Sequence, residues 1–407
     1  MLYVTCYMKK TMKPQEFKNK MTILGVKIDD QPIEWIMNRI DHFLNSENNH
    51  KIFTPNPEIC LRAGNDEHYR KLLNTADINT PDGIGLKLGA KILRQELKNR
   101  VTGADLTKAI LEKYKSQNIS VFIVIKSNSL STESDIKKLF KENYPQIKVK
   151  VGVVDKDDCL NCDKVLNDIN DFNPQILFIA LGAPDQEIWI NKYSNILTSV
   201  RASLGVGGSF DFLTGKMKRA PEIIRKLGAE WLYRLYREPK RLMRIKHATA
   251  DFLILCHQWE KRMDNEFRIN VLGIIKNKEG KYLIQKNARL KEHWQFPQGG
   301  VDEGERPEMA VVRETAEELG AEERLFKVIK KIPDGHEYVW PRYAQLLRGY
   351  KGQTQTAFVL EFNGNDSDFH PEKSDEVVAI KWVGKTEILK NLHPVRREFA
   401  KKLIRYL

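Results

Sequence analysis

Between Thr22 and about Phe212, β-branched and aromatic runs alternate with amphipathic stretches. Ile52–Thr54, Ser120–Ile125, Lys148–Val153, Ile176–Leu181 and Ala202–Val206 predict strands, and stretches such as Ser131–Asn143 and Cys162–Phe172 predict helices between them. That order predicts a doubly wound α/β domain with a mainly parallel sheet. From Pro221 to Met263 the pattern turns helical and strongly basic, interrupted by Pro239. A β-rich pattern opens at Phe267, which places a boundary near Asp264. The expected division is a disordered lead over 1–20, an α/β domain over 21–220, a basic helical appendage over 221–263 and a second domain over 264–407.

Composition narrows the setting. No apolar run approaches the roughly 20 residues needed to span a bilayer, so the chain is not expected to be integral to a membrane. A formal net charge of +13 implies anionic partners, whether nucleotides, nucleic acid or acidic lipid headgroups. Five scattered cysteines, an odd number, argue against a disulfide framework and for a reducing cytoplasm. Cys159 and Cys162 form a Cys-x-x-Cys pair, but without a second pair or nearby histidines a zinc site lacks half its ligands.

The densest chemistry lies in Gly299–Ala321, GGVDEGERPEMAVVRETAEELGA. A helix is expected from about Glu308, after Pro307, which suits a first turn. Glu314, Glu317 and Glu318 then differ by three and four positions and project from one face. Like charges so placed repel unless a cation neutralises them, and hard oxygen ligands select magnesium or manganese. Met309, Val312, Ala316 and Leu319 are expected to pack the opposite face, and Gly299 to bring a backbone carbonyl toward the same metal.

The stretch resembles the Nudix box at Gly299, Glu305, Arg313, Glu314, Glu317, Glu318 and Gly320, while Thr315 and Ala321 stand where the family prefers larger aliphatics. The resemblance implies a Nudix α/β/α sandwich. In it Glu314, Glu317 and Glu318 bind the ion on diphosphate oxygens, Glu317 and Glu318 serve catalysis, and Glu305 and Arg313 brace one another. The metal would polarise phosphorus and activate a bound water. The flanks Phe267–Val271, Trp294–Gly300 and Gly352–Phe358 look like the RNA pyrophosphohydrolase and dinucleoside polyphosphate hydrolase branch. There Arg268 is a substrate residue and Glu376 a further acidic metal position. Hydrolysis of nucleoside-diphosphate sugars stays open beside a 5′-polyphosphorylated RNA or dinucleoside polyphosphate substrate.

Four turn-rich segments mark the N-terminal domain: Thr54–Asn56, Thr80–Gly85, Gly182–Glu187 and Gly205–Phe212. At least three follow expected strands, where open α/β sheets gather ligand-binding loops. With Gly215–Pro221 and Glu230–Leu235 they resemble the WecB/TagA/CpsF glycosyltransferase family over roughly Thr22 to Arg244. Such enzymes move an N-acetylmannosamine-type sugar from UDP onto lipid-diphosphate-linked N-acetylglucosamine. The resemblance makes Asp82 the general base, puts Thr54 and Asn56 in its pocket, gives Gln186 sugar or acceptor, and turns Arg100 to a phosphate. No cofactor is expected in the donor region. Arg234, Arg237, Arg241 and Arg244, spaced three, four and three, could meet the donor diphosphate or an anionic membrane surface. Where relatives carry a glycine-rich turn after the strand ending near Ile125, this chain has Lys126-Ser127-Asn128-Ser129.

The leading expectation is a bifunctional cytoplasmic enzyme touching the inner membrane surface. The rivals are a basic RNA-binding pyrophosphohydrolase with an inactive transferase-like scaffold, and a transferase with a sensory Nudix module.

Overall fold

The computed structural model describes residues 20–221, 247–288, 290, 292–374 and 376–407. The expected lead before Lys20 and most of the basic appendage, with Arg234, Arg237, Arg241 and Arg244, lie outside the described residues. The described chain falls into two compact units, one running to Glu260 and taking in Leu346–Gly349, the other comprising Lys261–Gln345 and Tyr350–Leu407.

The first unit opens with an antiparallel hairpin, β1 (Lys20–Ile23) and β2 (Val26–Asp29). A six-stranded sheet follows, built from β3 (His50–Phe53), β4 (Ile78–Asn79), β5 (Ser120–Lys126), β6 (Lys148–Val154), β7 (Ile176–Ala180) and β8 (Ala202–Gly205). Its order is β4-β3-β8-β7-β5-β6, and every pairing is parallel. Parallel strands need crossovers, so helices cover both faces and the strands read as near-continuous apolar runs. Val121, Ile123 and Ile125 of β5 share a core with Ile36 and Phe43 of α1 (Ile33–Leu44), Leu106 and Ile110 of α2 (Gly103–Tyr114), and Ile136 and Phe140 of α3 (Glu133–Asn143). Phe122 and Val124 are buried on the other face. The α3 helix starts at Glu133 rather than Ser131, because Thr132 and Asp135 form a reciprocal cap.

In the second unit an eight-stranded mixed sheet follows the path β11-β10-β9-β15-β13, with β12 on β9, β14 on β15 and β16 on β10. The strands are β9 (Phe267–Lys276), β10 (Tyr282–Asn287), β11 (Trp294–Gln295), β12 (Gln298–Gly300), β13 (Phe326–Lys331), β14 (His336–Val339), β15 (Gly352–Phe362) and β16 (Val377–Val383). Parallel pairing of β9 with β15, from Phe267 opposite Gly352 to Lys276 opposite Glu361, forms its spine. Alternation splits the core in two. Leu272, Ile274, Ala357 and Val359 face α5 (Pro394–Ile404), while Val271, Ile275, Phe358 and Leu360 face α4 (Pro307–Leu319). The result is an α/β/α sandwich.

One packing expectation is corrected. Met309 is 51% exposed, and α4 docks through Ala310, Val311, Ala316 and Leu319. The helix is rotated so that Glu318 lies on its buried side.

Candidate functional site

In the first unit the loops after β3, β4, β5, β7 and β8 leave the carboxyl ends of a parallel sheet, so the fold brings together segments far apart in sequence. Thr54, buried after β3, donates its hydroxyl to the Gly205 carbonyl at 3.1 Å. Asn56 caps the helix Pro57–Asn65 and accepts from the Ile59 amide at 2.9 Å. The Asp82 amide donates to the Pro55 carbonyl at 2.8 Å, which pins the β4 loop beside the β3 loop. Asp82 Oδ2 accepts the Gly103 amide at 3.1 Å, so this carboxylate sits at the N-terminus of α2, where the helix dipole favours negative charge. Gly103 is approached closely by both neighbouring loops, since a Cβ there would lie 3.3 Å from Thr54 Oγ1 and 3.5 Å from Ser209 Oγ. Half-buried Arg100 precedes Val101, whose amide donates to the Pro81 carbonyl at 3.0 Å; the backbone thus carries Arg100 alongside the Asp82 loop.

Gln186 stands differently from Thr54, Asn56 and Asp82. It is 3% exposed, its Oε1 accepts the Gly207 amide at 2.9 Å, and its Nε2 donates to Glu187 at 2.7 Å. Both ends of its amide are therefore engaged within the fold.

A cavity of about 150 Å³ opens at the ends of β5 and β7, bordered by Lys126, Asn128, Ser131, Gly182, Gly207 and Asp211. Its rim is polar and mixed in charge. Lys126 pairs with Asp185 at 2.7 Å, and Asp211 Oδ1 accepts both the amide and the hydroxyl of Ser131, at 3.0 and 2.8 Å. The unusual Lys126–Ser129 turn is closed by the Ser129 hydroxyl, which accepts the Lys126 amide at 3.1 Å, and by the Ser129 amide on the Lys126 carbonyl at 3.0 Å. Hydroxyl and backbone groups hold this turn without glycine. Sequence reasoning passed over Ser131 and Asp211. Asp211 lay within a motif already singled out, but its partner is 80 residues away. Cys159 and Cys162 are buried thiols whose pKa values burial raises, and Trp189 Nε1 donates to Cys162 Sγ at 3.1 Å.

In the second unit Arg313 organises the acidic helix. It grips Glu305 through two hydrogen bonds, Nε to Oε1 at 2.9 Å and Nη2 to Oε2 at 2.8 Å. Nη1 reaches Glu314 at 3.0 Å and Glu317 at 3.4 Å, and Nη2 reaches the Gly300 carbonyl at 3.1 Å. Glu318 points elsewhere. It is 7% exposed and accepts Gln285 Nε2 at 2.7 Å and the Gln298 amide at 2.9 Å. Burial pushes its pKa up to about 8 against those two hydrogen bonds, with the charges of Glu376 and Glu314 adding to the rise. Burial likewise raises Glu314, and Arg313 opposes it.

The expected convergence of three carboxylates is therefore not a ready cage. Among the described residues no three His, Cys, Asp or Glu side chains are grouped to hold an ion. Like charges repel, and Arg313 offers Glu314 and Glu317 a nearer partner. The donor set nonetheless fits a hard divalent cation. Gly299, paired with Val271, leaves room for the Glu314 carboxylate to lie against the backbone, where a Cβ would fall 1.8 Å from Oε2. Arg268 similarly lies over Gly300, with Nη2 2.5 Å from where a Cβ would be. Exposed Glu376 precedes β16 and acts electrostatically on Glu318.

Comparison with known proteins matches these two units separately. The family model described as glycosyl transferase WecG/TagA/CpsF matches residues 21–266, and that of the NUDIX domain matches residues 266–403. The chain is 32% identical over 227 residues to the N-acetylglucosaminyldiphosphoundecaprenol N-acetyl-beta-D-mannosaminyltransferase of Bacillus spizizenii, covering 55% of this chain and 86% of that one. It is 32% identical over 238 residues to the Staphylococcus aureus enzyme of the same name, covering 58% and 92%. A solved C. elegans Ap4A hydrolase is similar at 18% identity and a TM-score of 0.27, covering 34% of this chain and 96% of that one, too slight a likeness to argue from.

Proposed function

The chain belongs to the glycosyl transferase WecG/TagA/CpsF family and carries a NUDIX domain behind it, and on that premise we propose an enzyme with two activities. The first transfers an N-acetylmannosamine-type sugar from UDP to lipid-diphosphate-linked N-acetylglucosamine. The second hydrolyses a nucleotide polyphosphate, either a 5′-polyphosphorylated RNA or a dinucleoside polyphosphate.

The observation that carries the transferase reading is the meeting of the Asp82, Thr54 and Gly103 segments at the carboxyl ends of adjacent parallel strands. The acceptor hydroxyl oxygen attacks the anomeric carbon, its proton passes to the Asp82 carboxylate, and the bond to UDP breaks with its electron pair on the diphosphate. Thr54 and Asn56 border that pocket, and Arg100, with Arg234, Arg237, Arg241 and Arg244, offsets the leaving charge. The cavity beside Lys126 and Asp211 has the polar groups to receive the nucleoside end of the donor.

For the hydrolase, Glu314 and Glu318, with the Gly299 carbonyl, Glu317 and Glu376 near them, would hold magnesium or manganese. When bound, such an ion supplies Lewis-acid polarisation of the diphosphate oxygens. Arg313 holds Glu305 and Glu314 in place; in this reading Glu317 and Glu318 take up the proton of the attacking water, and Arg268 offers a cation to the substrate.

Among the described residues no helix is long and apolar enough to cross a membrane. We place the chain in the cytoplasm, meeting its lipid-linked acceptor at the inner membrane surface.

The test incubates the full chain with UDP-N-acetylmannosamine and a lipid-linked N-acetylglucosamine acceptor, and separately with magnesium and triphosphorylated RNA, diadenosine polyphosphates, UDP or UDP-sugars. Transfer that stops in Asp82→Asn and hydrolysis that stops in Glu317→Gln, each without loss of the other, supports the assignment. Transfer at the native rate by Asp82→Asn rejects the base.

A further inference from the structure

We propose that Glu187 is a positioning residue of the transferase site, acting through the Gln186 amide on the glycine turn after β8; the proposal rests on the transferase reading above. Glu187 is fully buried in the helix Asp185–Tyr193. Among the described residues it accepts from Gln186 Nε2 at 2.7 Å and from the Tyr69 hydroxyl at 3.0 Å. A buried carboxyl is a costly way to fill space, and burial raises its pKa as it does that of Tyr69.

What the carboxyl does is select one end of an amide. Its Oε1 accepts and so holds the NH2 group of Gln186, which turns the other end, Oε1 of Gln186, onto the Gly207 amide at 2.9 Å. The turn it grips is shaped for close approach. Gly207 has φ +49°, and a Cβ at Gly205 would come within 3.1 Å of Gln186 Nε2. The same turn is held from its other side, where the Gly205 carbonyl accepts from Thr54. Gly207 and Gly208 border the cavity next to Asp211. One segment thus borders the cavity and is tied to Thr54 of the β3 loop, which lies beside the Asp82 loop, and Tyr69, Glu187 and Gln186 support it from behind.

Without the acceptor the Gln186 amide is free to flip and withdraw its oxygen from the half-buried Gly207 N–H, which shifts the balance of turn poses by about tenfold. The experiment uses the full chain with Glu187→Met and Glu187→Gln, reading kcat and KM for UDP-N-acetylmannosamine and hydrogen exchange across Gly205–Ser209. Glu187→Met is expected to raise the donor KM about tenfold, to leave kcat and the acceptor KM nearly unchanged, and to speed exchange at Gly207. Glu187→Gln keeps an acceptor oxygen and should return both readouts to native values. An unchanged donor KM with unchanged exchange in Glu187→Met overturns the proposal, as does a loss confined to kcat in step with the folded fraction. If the native chain transfers no sugar, exchange alone decides the brace: faster exchange in Glu187→Met upholds it while the transferase reading falls, and native exchange rejects it. Should Glu187→Met not fold, Tyr69→Phe, which removes one donor to Glu187, must show the same direction in both readouts or the proposal fails.

Discussion

Gly299→Ala separates metal-site geometry from fold stability in one atom. Gly299 lies in β12 opposite Val271 and is not among the positive-φ glycines, so alanine meets no backbone strain and should gain about 0.4–1 kcal/mol from a stiffer unfolded chain. The added Cβ falls 1.8 Å from Glu314 Oε2 and 1.9 Å from its Cδ; to regain ordinary contact at 3.4 Å the carboxylate must retreat by about 1.6 Å. Its Cγ, 2.4 Å from the added Cβ, must move as well, so the side chain swings as a whole about its Cα–Cβ bond. Glu314 then leaves the position from which it would share a cation with Glu318, and a misplacement of about 1 Å at a reacting centre costs on the order of 10²-fold in rate. The expected outcome is thermal stability within about 1 kcal/mol of native, native sugar transfer, hydrolysis down about 100-fold and manganese binding weakened in titrations followed by electron paramagnetic resonance. Hydrolysis within threefold of native, with manganese bound as before, would refute the placement of Glu314 against Gly299 as a metal cradle.

Thr315 is 1% exposed on α4, and its hydroxyl has no hydrogen-bond partner among the described residues. Thr315→Val keeps the shape and removes that group, so it should raise stability by about 1 kcal/mol in denaturant titrations. His293 is buried and stacks on His393 at 4.3 Å; burial, with the charge of Arg396 and the neighbouring His393, pushes its pKa down to about 4. The folded form then binds fewer protons than the unfolded one between about pH 6.5 and 4. The stability tied to His293 is whole above pH 6.5 and drains as pH falls toward 4. The second unit should lose up to about 2–3 kcal/mol between pH 7 and 4.5, and His293→Gln should flatten that slope. Asp82→Asn should lower transfer by about 10²–10⁴-fold at saturating substrates while leaving the hydrolase untouched, as coupled assays on one preparation would show.

Local pattern carried most of the architecture. Runs at 120–125, 148–153, 176–181 and 202–206 became β5 to β8 within a residue or so at their ends, because strands buried on both faces announce themselves as apolar runs. Pro307 and Gly320 bounded α4 by backbone geometry alone, one at the first turn and the other at φ +63°. Helical spacing likewise set Glu314, Glu317 and Glu318 within one turn of each other. Which way each would point was not local. Glu318 turns inward because Gln285 and the Gln298 amide, 33 and 20 residues away, meet it there, while Arg313 engages Glu314 against the Gly299 backbone and Glu317 at the surface. Gln186, given sugar or acceptor by the resemblance, has both ends of its amide engaged because Gly207 stands 21 residues on and Glu187 lies beside it, and Tyr69, 118 residues before Glu187, closes the set. Periodicity is a property of neighbours a few residues apart, so the chain by itself determined elements and their chemistry. Partners chosen across the sheet depend on strand order and helix rotation, which exist only once the core has packed.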